Sequence, residues 1–290
     1  MDRTKILARL TVAALCAVSV SCSPGPAIVV GSKNFTEQVL LGEILAQQIE
    51  RRLDVRVVRK LDLGGTLIAH EALVKGSIDL YPEYTGTALT AILKRPGATD
   101  SAATLTTVRE AYRRQWQLEW LDPLGFENTF AMIVRRDERL RTLSAAAAAH
   151  PWHLGAGYEF RQRPDGLDGL LQTYHLRLAG EPAIMDLGLL YSALESRQVD
   201  LIAANSTDGQ IAVRDVTVLQ DDRHYFPPYQ CAAIVRQDTL TRFPSLRGTL
   251  GELSGKLPET VMQRLNYKVD GEHRRAADVA AEFLRGLGGK

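Results

Sequence analysis

The feature that most constrains this chain is an alternation of two hydrophobic periods that begins after residue 26. Residues 27–30 (Ala-Ile-Val-Val) form a continuous apolar run ended by Gly31, Ser32 and Lys33. Leu40, Leu41, Ile44, Leu45 and Ile49 then recur at the spacing of one helix face. Asn34 is placed to cap that helix, with Glu37 three residues on completing a capping-box pattern. Strands are predicted at 55–58 and 78–81, the latter stopped by Pro82. Between them Gly64, Gly65 and Thr66 open a helix that Gly76 closes, and Tyr84 to Thr87 lead into another. A strand–helix alternation of this kind folds into a mainly parallel sheet with helices on both faces.

The pattern continues with a helix at 103–117, a strand at 130–134, a small-residue helix or loop at 144–149 and a short strand at 154–157. A loop at 159–166, a helix at 189–195 and strands at 199–202 and 216–219 follow, with Ser206, Thr207 and Asp208 capping a helix between those strands. A strand at 232–236 and two C-terminal helices complete the chain. Neither an internal repeat nor a low-complexity linker is present. Two lobes joined without a flexible linker require strands that cross between them, as in a hinged clamp.

Several function classes are excluded early. The 290 residues carry a net charge of +1, which leaves no electrostatic footprint for nucleic acid. The basic doublets Arg51-Arg52 and Arg274-Arg275 read as solvated helix faces. Residues 1–22 have the form of a signal peptide: Arg3, Lys5 and Arg9, an apolar run over 10–20, then Ser21 and Cys22. That run is shorter than the roughly 20 residues a membrane span needs. Cys22 stands where a bacterial lipoprotein carries its lipidated cysteine, although Ser19 occupies a position where Leu is usual. A soluble periplasmic protein cleaved nearby is the alternative, and both imply export. Of Cys16, Cys22 and Cys231 only the last lies in the folded body, so no internal disulfide forms there. The spacing of His, Cys and carboxylates suggests no metal site, and no nucleotide-cofactor motif is present. Ser206-Thr207-Asp208-Gly209 lacks the nucleophile-elbow pattern, and the six histidines are scattered, so no catalytic residues are assigned.

Four loops at strand ends concentrate aromatics, glycines and charges, where open α/β sheets bind ligands. At 31–36, Lys33 beside a helix start is suited to a carboxylate, or is a plain surface lysine. At 81–87, Tyr84 can hold a cation at about 0.5–2 kcal/mol per desolvated ring, with the Thr87 hydroxyl one helical turn away. Core packing is the competing account of both tyrosines in that loop. The stretch 126–130 brings Asn128 and Phe130 to the start of the second lobe. The fourth place pairs Glu159 and Arg163 with the segment 225–229, where Pro227 and Pro228 aim Tyr229 and Arg163 can clamp a carboxylate.

These residues lie in longer motifs: residues 31–38 (GSKNFTEQ), 78–87 (IDLYPEYTGT), 163–167 (RPDGL), 206–209 (STDG) and 226–229 (FPPY), with Leu253-Ser254-Gly255-Lys256, Met262 and 265–267 (LNY) near the end. The set resembles the glycine betaine/choline/carnitine substrate-binding proteins of osmoprotectant ABC importers. That resemblance implies the type II periplasmic-binding-protein fold, two α/β lobes joined by two crossover strands, with lobe 1 at 27–128 plus 229–290 and lobe 2 at 129–228. It implies no cofactor, and an ABC permease and its ATPase as separate partner chains. It also implies a quaternary-ammonium solute caged by four tyrosines, its carboxylate held by polar and basic groups. On the matching motifs Tyr84 and Tyr229 take two cage positions, Thr87 is a polar contact, and Lys33 and Arg163 match carboxylate-binding residues. The other two cage positions depart, with Phe130 keeping the ring without the hydroxyl and Asn205 replacing a ring by an amide. One ring lost corresponds to about 0.5–2 kcal/mol, which predicts a weaker betaine binder or one tuned to another quaternary amine such as ergothioneine. The same clamp could instead serve an extracytoplasmic sensor, and a hydrolase lacks a nucleophile–base pair here.

Overall fold

The computed structural model describes residues 26–96 and 100–288. The expected signal segment 1–22 and its expected lipidation residue Cys22 lie outside the described residues. The chain opens with β1 (Ala27–Gly31), α1 (Thr36–Arg52), β2 (Arg56–Lys60), α2 (Thr66–Val74) and β3 (Leu80–Tyr84). A short turn, α3 (Thr85–Thr87), runs directly into a π-helical turn over Ala88–Ile92, followed by α4 (Ser101–Trp116) and β4 (Leu118–Trp120). The middle of the chain forms β5 (Phe130–Arg135), α5 (Leu143–Ala149), β6 (Leu154–Ala156), α6 (Tyr158–Gln162), α7 (Leu167–Tyr174), β7 (Ala183–Ile184), α8 (Leu190–Glu195), β8 (Leu201–Asn205) and β9 (Val216–Val218). It then returns as β10 (Cys231–Arg236) and ends in α9 (Gln237–Arg242), α10 (Leu246–Gly251), α11 (Glu259–Asp270) and α12 (Ala276–Leu287).

Two five-stranded sheets result, with orders β2-β1-β3-β10-β4 and β7-β6-β8-β5-β9. Their central strands β1, β5, β8 and β10 are largely buried, which is why these read as nearly unbroken apolar runs. In β5, Met132 and Val134 enter one core and Ala131 and Ile133 the opposite one, following the two-residue pleat. In the first sheet Ile28 and Val30 pack under α1, α11 and α12, while Val29 faces the core built on Leu73, Tyr112 and Trp120. At about 1.5–3 kcal/mol for each fully buried large aliphatic or aromatic side chain, these four clusters supply stability that Cys231, the one cysteine among the described residues and free, does not.

The two sheets are mixed rather than mainly parallel. β1 runs parallel to β2 and β3, but β10 enters antiparallel between β3 and β4, and β5 is antiparallel to both β8 and β9. The chain crosses between the sheets twice, after β4 and before β10. The crossing segments pair with each other: Glu127 bridges Gln230 antiparallel, and the Asn128 N–H donates to the Tyr229 carbonyl at 3.1 Å.

Four local expectations are corrected. Phe35, not Asn34, is the N-cap of α1, without a side-chain cap bond, because Glu37 turns inward toward Tyr84 and Asn128. Pro82 does not stop β3: past Leu80 that strand has no register partner on its β1 side, so a residue without an N–H is tolerated while β10 pairs along the other edge. The stretch after Gly157 is the short helix α6 rather than loop, and four helices rather than two follow β10.

Candidate functional site

The nine residues singled out from sequence, Lys33, Tyr84, Thr87, Asn128, Phe130, Glu159, Arg163, Asn205 and Tyr229, all line one cleft of about 890 Å³ between the two sheets. They come from strand ends, helix ends and the segments that cross between the sheets. Tyr84 ends β3, and the unbroken α3–π segment after it turns Thr87 and Thr90 toward the second lobe. Thr87 Oγ1 there accepts a hydrogen bond from Arg163 at 2.9 Å, and Thr90 Oγ1 donates to Asp165 at 2.8 Å. π-helical turns of this kind recur where a helix must redirect functional side chains. Phe130 begins β5 and Asn205 ends β8. Their register makes them direct cross-strand partners, so the two departures from the tyrosine cage face the cleft side by side.

Aromatic surface is dense at this place. Phe35 stacks on Tyr84 with centroids 6.4 Å apart, and Phe130 meets Tyr229 edge-on at 6.2 Å and Phe160 at 4.9 Å. Tyr229 lies flat against backbone: a Cβ at Gly86 would fall 2.6 Å from its ring. The chain's own cations already sit on these rings, Lys33 Nζ 4.7 Å from the Tyr84 centroid and the Arg163 guanidinium 4.9 Å from that of Phe130.

Both cations are neutralised internally. Lys33 Nζ donates to Glu83 at 2.6 Å, with both side chains almost wholly buried. A pair this dry costs about 3–5 kcal/mol to break from one side, so Lys33 anchors the floor of the cleft. Arg163 spends Nε and Nη2 on Asp165 at 2.9 and 2.5 Å, and Asp165 also accepts from the Tyr229 hydroxyl. Burial works against the Asp165 charge, but Arg163 outweighs it and holds the carboxyl below its ordinary range.

Residues that sequence reasoning left without a site role complete the far end of the cleft. Glu37 is buried among donors, its Oε1 accepting from the Tyr84 hydroxyl at 2.6 Å and Asn128 at 2.8 Å, its Oε2 from Asn266 at 2.8 Å. Burial exceeds the effect of those bonds and raises its pKa. Asp208, also desolvated and near Asp270 and Glu37, is pushed up to about 6. Tyr191 of α8, Thr207 and Asn266 stand beside them. All of these except Tyr191 and Asp270 lay inside the motifs quoted above, where Glu37, Thr207 and Asp208 read as helix caps and Asn266 carried no role. Across its whole lining the cleft carries two cationic side chains against six carboxylates: Glu37, Asp62, Glu159, Asp186, Asp208 and Asp270.

The lobes meet at both ends of the cleft. Thr66 N–H donates to Glu159 at 2.6 Å on one side, and Asn266 donates to the Thr207 carbonyl at 2.9 Å on the other.

Over residues 26–286 the sequence matches the family described as the substrate binding domain of ABC-type glycine betaine transport system. The chain belongs to this family. It is 34% identical over 269 residues to a Helicobacter pylori protein named as an ergothioneine transport permease and binding protein, covering 90% of this chain but only 48% of that longer one. It is 34% identical over 272 residues to the glycine-betaine-binding protein of Pseudomonas aeruginosa, covering 88% of this chain and 86% of the relative. A solved glycine betaine/carnitine/choline ABC transporter structure superposes with a TM-score of 0.77 at 30% identity, over 90% of this chain and 98% of that one.

Proposed function

We propose that this chain is the extracytoplasmic solute receptor of an ABC importer and holds a small quaternary-ammonium solute between its lobes. The observation that carries the reading is the convergence of Tyr84, Phe130 and Tyr229, from three separate segments, on one cleft whose carboxylates outnumber its cations. A permanently charged ammonium without N–H groups cannot be hydrogen-bonded, so ring faces and nearby carboxylates are what can hold it. Lys33, Thr87, Asn128, Glu159, Arg163 and Asn205 surround the rings and set their geometry.

The lobe boundaries follow from the same reading: residues 27–128 plus 229–290 form one rigid half and 129–228 the other. Support comes from the paired crossing segments at 127–128 and 229–230, where a small backbone rotation moves one sheet relative to the other. An ABC permease and its ATPase complete the importer, as membership of a family of ABC-type transport binding domains supports. Export through the segment 1–22 and a lipid on Cys22 would keep the receptor beside that permease. The role is read as binding, in keeping with the transport family to which the chain belongs.

Calorimetric titration of the mature protein with glycine betaine, choline, carnitine and ergothioneine tests the assignment. At least one should bind with micromolar affinity and a negative heat-capacity change, as burial of methyl groups against rings requires. Absence of heat with all four overturns it.

A further inference from the structure

We propose that Glu159 is a specificity-determining residue that reserves the cleft for a net cation, by filling with the protein's own carboxylate the place where a zwitterion would put its anion. The inference rests on the quaternary-ammonium reading and narrows it to the charge class of the solute.

The place in question is the start of α2. Thr66 N–H donates to Glu159 Oε1 at 2.6 Å, and Thr66 Oγ1 donates to Oε2 at 3.1 Å. Gly65 is shaped around this carboxylate, since a Cβ there would lie 2.8 Å from Glu159 Oε1. Free N–H groups at a helix start, with Lys33 Nζ 3.4 Å from Thr66 Oγ1, are what an incoming carboxylate would seek. Here they are already bound. Burial opposes the charge on Glu159, yet Lys33, the Thr66 N–H and Arg163 hold its pKa below the ordinary range, so it remains ionised at neutral pH.

The two side-chain cations leave no alternative receptor. Lys33 belongs to Glu83 and the fork of Arg163 to Asp165, with Glu159 a further 3.7 Å from Arg163. Two cations therefore face three carboxylates before any solute arrives. A solute carboxylate entering beside Glu159 would meet like charge, and Arg163 has no free edge to pair with it.

An independent observation at the opposite end points the same way. The side-chain carbonyls of Asn128 and Asn266 are buried without hydrogen-bond partners. Both amide nitrogens are committed to Glu37, which can only accept, so the oxygens left over are acceptors. Those two oxygens ask for a hydroxyl or N–H donor, which a carboxylate cannot supply. The solute class is thus a quaternary ammonium that bears a donor group and no carboxylate.

Choline and glycine betaine are a matched pair of probes, sharing the trimethylammonium group and differing by hydroxyl against carboxylate. Calorimetry on the mature protein should show choline bound at least tenfold more tightly than glycine betaine. E159Q, which keeps the shape and the bond from Thr66 but not the charge, should narrow that ratio at least tenfold. E159A, which empties the receptor, should raise glycine betaine affinity in absolute terms, a gain that mere structural damage cannot produce; melting curves confirm that both variants fold. Glycine betaine bound as tightly as choline by the unaltered protein, or a ratio unmoved in both variants, overturns the role of Glu159 while leaving the quaternary-ammonium reading intact. Binding of neither probe nor of carnitine or ergothioneine overturns that reading and this one with it.

Discussion

At the scale of single residues, the site depends on what is missing as much as on what is present. Gly86 has no side chain, and the Tyr229 ring takes that space at a distance where a Cβ would stand 2.6 Å from Cδ1 and 2.8 Å from the Pro228 carbonyl. Overpacking of a tight contact costs about 1–3 kcal/mol. G86A should therefore shift Tyr229, loosen its bond to Asp165 and lower solute affinity at least tenfold, with a modest fall in melting temperature, both readable by calorimetry. Affinity equal to that of the unaltered protein would mean that Tyr229 is not a wall of the binding site. Phe130 and Asn205 were recognisable along the chain as departures from a tyrosine cage. That they are cross-strand partners was not, because β5 and β8 are brought together by a pairing some seventy residues apart in sequence. Glu37 was legible as a residue but not as a role: local spacing suits a capping box, and the pull of Tyr84, Asn128 and Asn266 on its carboxylate is a tertiary effect.

Among elements, the contact between α11 and the turn over Gly209–Ala212 joins the lobes across the cleft. A Cβ at Gly209 would lie 2.4 Å from the backbone nitrogen of Tyr267, and backbone in the middle of a helix cannot yield as a side-chain tip can. G209A should hold the lobes apart: a larger radius of gyration by small-angle X-ray scattering and solute affinity reduced at least tenfold, while each half keeps its fold by circular dichroism. A scattering profile and affinity identical to those of the unaltered protein would show that this contact does not limit closure. The helices that carry site residues were mostly placed correctly from periodicity. α6 was not, since its five residues are too few to show a period, and β3 overran Pro82 because only the sheet reveals which edge is unpaired.

For the molecule as a whole, the titration of the cleft couples folding to pH. Asp208, desolvated and raised to about 6, binds a proton in the folded state at a pH where the unfolded chain has released it. A raised carboxyl pKa contributes stability toward acid, and that contribution is lost as pH rises through about 6. His70, packed against Tyr112 and Trp116, acts in the opposite sense: burial lowers its pKa to about 4, so stability is lost as pH falls from its unfolded value near 6.5 toward 4. D208N removes only the first effect. It should lose about 1 kcal/mol more stability than the unaltered protein between pH 7 and pH 5, measured by urea unfolding. Acidification over the same range also strips negative charge from the cleft, so affinity for a quaternary-ammonium solute should fall in the unaltered protein and fall less in D208N. Equal pH profiles for the two proteins would remove Asp208 from both accounts.

What the amino-acid sequence determined by itself was the class of fold and the neighbourhood of the site. Hydrophobic period, turn glycines and strand-end aromatics are local properties, and they select an α/β clamp whose loops carry the residues lining the cleft. The tertiary structure alone decided how charge is distributed within that site. Lys33 and Arg163 look from the sequence like receptors for a carboxylate, but folding supplies Glu83, Asp165 and Glu159 as their partners. Which ion meets which depends on distances of a few ångströms between segments remote in the chain, because Coulomb energy in a dry cleft changes steeply over that range. Sequence spacing does not record those distances.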